Sequence, residues 1–138
     1  MPCDGRAALA RAARYAGERI VFGRPIGQNQ GIQHPLAERW IELEAAELLM
    51  LRAAAAYDSG AEPSAVGAFA NAAKYFAAEA GHRACETAVL THGGMGYARE
   101  FHVERFFREI QIARIAPISG QLILSHIAER VLGMPKSY

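Results

Sequence analysis

The sequence lacks several features that would place it in particular classes of protein. Two cysteines among 138 residues, Cys3 and Cys85, provide no disulfide framework, which favours a reducing, cytoplasmic setting. A formal net charge of +1 argues against a dedicated nucleic-acid partner. No apolar run approaches the roughly 20 residues of a membrane span, and the start of the chain lacks the apolar core of a signal peptide. We therefore expect a cytoplasmic protein without a membrane-inserted segment.

Alternating β-branched residues are also scarce, and the chain is instead dense in Ala, Leu, Glu and Arg. This composition favours helix, and a hydrophobic content of 51% excludes a disordered chain. A chain of 138 residues can bury one good core, so we expect a single domain over residues 1–138.

Caps and breakers predict the first two helices. The first runs from a cap at Asp4 to about Phe22, and an aperiodic connection covers residues 23–35. The second opens at Leu36 and ends near Ser59. Its apolar stripe comprises Leu36, Trp40, Leu43, Met50, Ala54 and Tyr57, widened by Ile41, Leu48 and Leu51.

Two further helical segments complete the pattern. The third helix opens at a Ser64 cap and ends near Thr91, and its alanines lie on several faces, which predicts a central position. A charged, aromatic stretch over residues 101–115 and a last helix to Leu132 follow, with a break at Pro117. Long helices with short joints predict an all-α fold, an antiparallel four-helix bundle.

Two short segments carry candidate functional residues. In "RIVFG", Arg19, Phe22 and Gly23 are either a surface arginine, a core phenylalanine and a helix stop, or a guanidinium and an aromatic surface for a nucleotide. In "THGGMGY", residues 91–97, three glycines either end a helix or let the backbone approach an anionic ligand. No strand precedes this turn, so a Rossmann assignment fails. His82 and Cys85 lie one turn apart, but two ligands are too few to predict a metal site.

These segments occur together in one known order. The chain resembles the C-terminal helical domain of the acyl-CoA dehydrogenases, on "RIVFGRPIGQNQGIQ" (19–33), "THGGMGYAREFHVERFFREIQI" (91–112) and "LGMPKSY" (132–138). The resemblance implies a four-helix bundle that forms a homo-oligomer, a dimer or tetramer, and supplies about half of an FAD site shared between subunits. It assigns the FAD contacts to Arg19, Phe22, Asn29, Gln30, Gly93, Gly94, Ser119 and Gln121.

Two positions depart from the family pattern. The family usually has a glutamine at Leu90, and leucine cannot form that hydrogen bond. In many members a glutamate removes the α-proton of the acyl-CoA thioester, and Pro117 occupies that position here. Other members carry the glutamate on an earlier helix, which the resemblance puts upstream of Met1. We therefore expect no catalytic residue in this chain.

The resemblance also implies that the N-terminal helical domain and the middle β-domain are absent from this chain, so acyl-CoA would bind only with those domains. The favoured hypothesis is an FAD-site and oligomerisation domain that is inactive in isolation. The alternative is a helical oligomerisation or interaction module that no longer binds flavin. A helical carrier of an apolar ligand is a third possibility, although packing is enough to explain the apolar helix faces.

Overall fold

The computed structural model describes residues 2–137, with side chains from residue 4 onward. Cys3 and Tyr138, which entered the sequence analysis, therefore lie outside the described side chains. The helices are α1 (Pro2–Glu18), α2 (Gln30–Asp58), α3 (Pro63–His92), α4 (Val103–Glu109), α5 (Gln111–Ile115) and α6 (Gly120–Arg130). A hairpin of β1 (Ile20–Val21) and β2 (Arg24–Pro25) follows α1, and single 3-10 turns cover Ile26–Gln28, Gly93–Tyr97 and Arg99–Phe101.

The predicted antiparallel four-helix bundle is confirmed. Arg6 on α1 pairs with Glu44 and Glu47 on α2, and Arg83 on α3 pairs with Glu42 on α2. The fourth member of the bundle is the broken run α4–α5–α6, which returns along α3. Its direction follows from the ion pair between Arg114 and Glu79 and from a cavity that His126 lines together with the start of α3.

Helix α3 is central, as its alanines predicted. It packs against α1, α2, α4, α5 and α6, because small side chains allow close approach on several sides. A Cβ added to Gly5 on α1 would lie 3.0 Å from the Cα of Gly81 on α3. Two buried clusters form the core, and both are built around α3 alanines: one adds Val103, Phe106 and Ile110, and the other adds Leu9 and Leu43.

Several predicted boundaries were wrong, and each error has a local cause. Asp4 lies inside α1, whose first residue is Pro2. Helix α1 ends at Glu18, not Phe22, because the Arg19 carbonyl accepts a hydrogen bond from the Ile26 N–H and closes the hairpin. Ser64 is not a cap, since Pro63 occupies the first turn of α3, where its missing N–H costs little.

Helix α2 begins at Gln30, so Pro35 lies inside it. The proline forfeits only one hydrogen bond, to the carbonyl of Gly31, and that residue is exposed to water. Leu43 is the one buried member of the α2 stripe. Trp40, Ile41, Leu48, Met50, Leu51 and Tyr57 are between 44% and 74% exposed. Most of the stripe therefore faces away from the core of this chain.

Pro117 lies before α6 and not in its first turn, in a non-helical segment that joins α5 to α6 through a cis Ala116–Pro117 bond. The cap of α6 is Ser119, whose hydroxyl oxygen accepts a long hydrogen bond (3.4 Å) from the Leu122 N–H. Within residues 2–137, no helix is both long and apolar enough to cross a membrane.

Candidate cofactor half-sites

The β1–β2 hairpin presents an aromatic side chain at its tip. Ile20 pairs with Pro25 and Val21 with Arg24, which leaves Phe22 and Gly23 as a two-residue loop. Both have positive φ, 51° and 78°, as in the turns that connect tight hairpins. Phe22 is fully exposed, so it is not the core phenylalanine that one of the two sequence interpretations required.

Asn29 fixes this hairpin to the start of α2. Its Oδ1 accepts a hydrogen bond from Arg24 Nη2 at 2.6 Å, and its Nδ2 donates to the Ile26 carbonyl at 2.9 Å. Asn29 also occupies the N-cap position of α2, although its side chain makes no capping bond. Gln30 is the exposed first residue of that helix. Both residues lie beside the hairpin.

Beneath the hairpin, the end of α1 and the end of α3 enclose a cavity of about 350 Å³. We call it the Arg19 cavity. Its lining comprises Tyr15, Arg19, Val21, Ile26, Leu90, Thr91, His92, Gly93, Gly94 and Met95. The predicted contact residue Arg19 thus lies beside two others, Gly93 and Gly94, although more than 70 positions separate it from them in the chain. Leu90 adds an apolar wall where the family pattern has a glutamine.

The polar groups of this cavity suit an anionic ligand. Arg19 is exposed, and its guanidinium has no ion pair or hydrogen bond among residues 2–137. Gly93 has φ 59°, a conformation that glycine adopts without strain, and a Cβ added to Gly93 or Gly94 would meet nothing within 4 Å. A ligand can therefore approach the Cα atoms of both residues, although the Gly93 N–H already donates to the Leu90 carbonyl. The buried Gly96 differs, because an added Cβ would lie 2.3 Å from the Val89 carbonyl oxygen.

His92 forms the buried wall of the Arg19 cavity and is only 4% exposed. Its ring stacks on Tyr15 with 4.3 Å between ring centroids, and it meets Phe101 edge to face at 5.4 Å. Its Nδ1 lies 2.7 Å from the Ala88 carbonyl oxygen. The sequence analysis assigned this histidine no role, although its place directly before the Gly93–Gly94 pair could have indicated one.

A second cavity, of about 470 Å³, lies where α5 gives way to α6. We call it the Ser119 cavity. It is lined by Tyr75, Glu79, Gln111, Arg114, Ile115, Ser119, Gly120, Gln121 and Leu124. The two predicted contacts, Ser119 and Gln121, therefore share one cavity, and Pro117 does not line it. The two cavities have no lining residue in common.

The α3 helix holds the segment that carries Ser119. Lys74 Nζ donates a hydrogen bond to the Ile118 carbonyl at 2.5 Å, and the Tyr75 ring would lie 3.2 Å from a Cβ on Gly120. The carboxylate that lines this cavity, Glu79, accepts a hydrogen bond from Arg114 Nε at 2.8 Å. This ion pair holds the Glu79 carboxylate against Arg114, and both residues line the cavity.

His82 and Cys85 occupy separate environments. The His82 ring lies 5.3 Å from the Phe107 ring, and burial together with Arg114 lowers its pKa below the ordinary value. Cys85 is fully buried in the core, and burial raises the pKa of its thiol to about 12. A thiol in that state is a poor nucleophile and a poor metal ligand.

Comparison with known proteins identifies the fold and its family. The family described as acyl-CoA dehydrogenase, C-terminal domain, matches residues 3–132. The chain belongs to the acyl-CoA dehydrogenases. It is 46% identical over 134 residues to the acyl-CoA dehydrogenase FadE12 of Mycobacterium tuberculosis, a match that covers 97% of this chain and 34% of that protein. The 3-(aryl)acrylate reductase of Clostridium sporogenes is 35% identical over 127 residues, which are 92% of this chain and 33% of the reductase.

Solved structures agree with the bundle described above. The butyryl-CoA dehydrogenase of Megasphaera elsdenii superposes with a TM-score of 0.90 at 30% identity, covering 95% of this chain and 33% of that one. An FAD complex of PigA superposes with a TM-score of 0.87 at 26% identity, covering 94% and 33%. This acyl-CoA dehydrogenase domain thus spans about a third of the length of its relatives.

The predicted contacts of this acyl-CoA dehydrogenase domain fall into three groups. Arg19, Gly93 and Gly94 line one cavity, Ser119 and Gln121 line another, and Phe22, Asn29 and Gln30 lie on or beside the hairpin. The sequence analysis missed His92 and Tyr15 in the first cavity. It also missed Glu79 and Arg114 in the second, because only the packing of α3 against α5 brings them to Ser119.

Proposed function

We propose that this chain is the FAD-site and oligomerisation domain of an acyl-CoA dehydrogenase, and that each cofactor site takes one half from each of two copies. The Arg19 cavity with the hairpin is one half, and the Ser119 cavity is the other. As an isolated chain it does not dehydrogenate acyl-CoA. The observation that carries this proposal is the placement of the predicted contacts in two separate cavities of one chain.

The distance between the two cavities supports a shared site. Glu79 in the Ser119 cavity and Leu90 in the Arg19 cavity both lie on α3, eleven residues apart. At a rise of 1.5 Å per residue this is roughly 16 Å along the helix axis. The two half-sites lie at different heights along the bundle. In a two-fold symmetric contact, residue i of one copy meets residue j of the other and j meets i, so the first half-site of one copy can face the second half-site of its partner.

The residues of the Arg19 cavity fit an adenine dinucleotide. The diphosphate needs cationic and N–H partners, for which the unpaired Arg19 guanidinium and the open backbone at Gly94 are suited. The Gly93 N–H, in contrast, already donates to the Leu90 carbonyl. The aliphatic wall of Val21, Ile26 and Leu90 offers a flat apolar ring a surface. When bound, FAD supplies the hydride acceptor for α,β-dehydrogenation. This chain's own residues bind and orient it.

The carboxylate that lines the Ser119 cavity supports the absence of catalysis in the isolated chain. Glu79 forms an ion pair with Arg114, and the Pro117 side chain has no proton-accepting group. We propose that this chain supplies neither the base for α-proton removal nor most of the acyl-CoA pocket. We expect no turnover when acyl-CoA, FAD and an electron acceptor are added to this chain, and turnover above the rate of a protein-free blank would contradict the proposal.

Exposed apolar surface supports self-association. At 100° per residue, Trp40, Ile41, Leu48 and Leu51 fall within about 100° of one another on α2, while the buried Ala46 lies on the opposite side. We call these four residues the outer face of α2. Large apolar side chains exposed together on one side of a helix are typical of an interface. The Glu44 carboxylate that lies between Trp40 and Leu48 is paired with Arg6 of α1. We propose that a second copy covers it.

Equilibrium dialysis with FAD tests the proposal. Affinity should rise with protein concentration as copies associate, and Arg19→Ala should weaken binding by about tenfold or more, the loss of one charge-assisted contact. Arg14→Ala is the matched control, because Arg14 is also exposed on α1 and does not line the cavity. Equal loss in both variants would mean a diffuse charge effect and would contradict a cofactor contact at Arg19.

One observation favours the alternative, an oligomerisation module without flavin. Leu90 is 72% exposed within the Arg19 cavity, at the position where the family pattern has a hydrogen-bonding glutamine. If the wild-type chain self-associates and binds no FAD at any concentration, the result favours either the alternative or a site that needs the N-terminal and middle domains. If Leu90→Gln then restores binding, the leucine is the reason for the loss.

A further inference from the structure

Two buried polar side chains without a role in the family pattern, Thr91 and His92, line the Arg19 cavity. The Thr91 hydroxyl already donates to a backbone carbonyl of α3 at 2.8 Å, which leaves His92. His92 is 4% exposed, stacks on Tyr15 and meets the Phe101 ring edge to face, so its ring has a fixed orientation. A carbonyl oxygen can only accept a hydrogen bond, and the Ala88 carbonyl lies 2.7 Å from Nδ1. In the neutral ring the proton is therefore on Nδ1, which makes Nε2 an acceptor.

That acceptor has no partner in the described part of the chain. Nδ1 and Nε2 point to opposite edges of the ring, so the edge that carries Nε2 turns away from Ala88. Nε2 makes no hydrogen bond to residues 2–137. It is also not one of the fully buried polar atoms in this part of the chain that lack a hydrogen-bond partner. His92 lines the cavity, so this edge is open to a ligand beside Arg19, Gly93 and Gly94.

We propose that His92 is a cofactor-positioning residue whose Nε2 accepts a hydrogen bond from a hydroxyl group of the adenosine ribose. This inference rests on the proposed function of the cavity. A phosphate oxygen is itself an acceptor and cannot pair with Nε2, whereas Arg19 and the open backbone at Gly94 can take it. The hydrogen-bond donors next to the phosphates of an adenine dinucleotide are its sugar hydroxyls.

The rigidity of the ring makes the contact selective. The hydrogen bond of Nδ1 to Ala88 and the stacking on Tyr15 hold the His92 ring in this orientation. A nucleotide that fills the cavity without ribose hydroxyls displaces water from Nε2 and leaves this acceptor unpaired, which costs about tenfold in affinity. Removing the acceptor by His92→Phe, which keeps an aromatic ring against Tyr15, should abolish that discrimination.

The test varies the ligand and the protein together, so that loss of the ribose hydroxyls is compared in the presence and absence of the His92 acceptor. FAD binding to the full chain is measured first by flavin fluorescence. ADP and 2′,3′-dideoxy-ADP are then compared by calorimetry on wild type, His92→Phe and the control His34→Phe, since His34 is exposed on α2. We expect wild type and the control to prefer ADP by about tenfold, and His92→Phe to bind both ligands alike.

The outcomes separate the two proposals. If wild type binds FAD but does not distinguish the two ADP ligands, or if His92→Phe retains the preference, this inference is wrong and the proposed function stands. If wild type binds neither FAD nor ADP, the proposed function fails and this inference fails with it. The ¹⁵N resonances of His92 in wild type give a readout that needs no variant: on saturation with FAD, Nε2 should shift as an unprotonated acceptor, and a protonated or unshifted Nε2 would overturn the proposal.

Discussion

Phe22 has a backbone conformation that a phenylalanine side chain disfavours. Its φ of 51° is a conformation that bulky residues avoid, and asparagine or glycine would be expected in a turn of this kind. The ring is also fully exposed, so the packing of this chain gains nothing from it. A strained and solvent-facing aromatic indicates selection for a contact with something other than this chain.

Phe22→Asn should therefore separate stability from function. We expect the free energy of unfolding to rise by about 0.5–1 kcal/mol, because asparagine suits the turn. FAD affinity should fall by about tenfold through the loss of the aromatic contact. Denaturant unfolding and FAD titration measure the two effects. A variant that binds FAD as well as wild type would show that Phe22 is not a cofactor contact.

His82 should make stability depend on pH. Its pKa is lowered in the folded chain, chiefly by burial, so the unfolded chain binds the proton more readily. The folded state is then penalised as pH falls below about 6.5, the ordinary pKa of histidine. We expect the free energy of unfolding to decrease between about pH 7 and pH 5, with a shallower decrease in His82→Gln. Parallel pH profiles for the two proteins would contradict this assignment.

At the scale of elements, the glycine turn after α3 combines two different requirements. Gly96 has no space for a side chain, because an added Cβ would lie 2.3 Å from the Val89 carbonyl oxygen. Gly94 has open space and a backbone that faces the Arg19 cavity. The fold requires Gly96, and we assign Gly94 to ligand binding.

The pair Gly96→Ala and Gly94→Ala tests this division. Gly96→Ala should destabilise the chain by about 1–3 kcal/mol, as overpacking does. Gly94→Ala should change stability by no more than about 0.5 kcal/mol but weaken FAD binding, because its methyl group would occupy the approach of the diphosphate. Thermal unfolding and FAD titration of both variants decide the matter. Equal stability loss in the two variants would contradict the separation.

The sequence predicted the bundle and its central helix because these depend on composition and on spacing within one element. It did not predict several ends of the helices, because contacts between separate residues determine where those helices end. The hydrogen bond between Ile26 and Arg19 converts the expected end of a helix into a hairpin, and Pro35 is accommodated inside α2 at the loss of one exposed hydrogen bond. Helix propensity alone carries no information about either event.

For the whole molecule, we propose that the apolar pattern of α2 serves two contacts, one within this chain and one with a second copy. Periodicity identifies an apolar face but not its partner. Leu43 meets the core of this chain, whereas Trp40, Leu48 and Leu51 remain exposed. The same limit applies to the proposed FAD contacts, because the resemblance assigned these residues without showing their division between two cavities.

Self-association through the outer face of α2 can be tested by charge. Leu48→Glu combined with Leu51→Glu would bury two unpaired carboxylates in the interface, so we expect the variant to sediment as a monomer at concentrations where wild type is a dimer or larger. Sedimentation velocity over a range of concentrations makes the comparison. Ala70→Glu, an exposed position on α3, is the control. A double variant that associates like wild type would place the interface elsewhere.

The central claim is that each FAD site is assembled from two copies, and a mixed oligomer tests it most directly. Arg19→Ala removes a contact from the first half-site, and Gln121→Ala removes one from the second. When the two variants are co-expressed with different tags and purified as a mixed pair, one site carries both changes and the other carries neither. The account predicts that each variant alone binds FAD weakly and that the mixed pair regains wild-type affinity at about half of its sites. Weak binding at every site of the mixed pair, or no FAD binding by wild type, would contradict it.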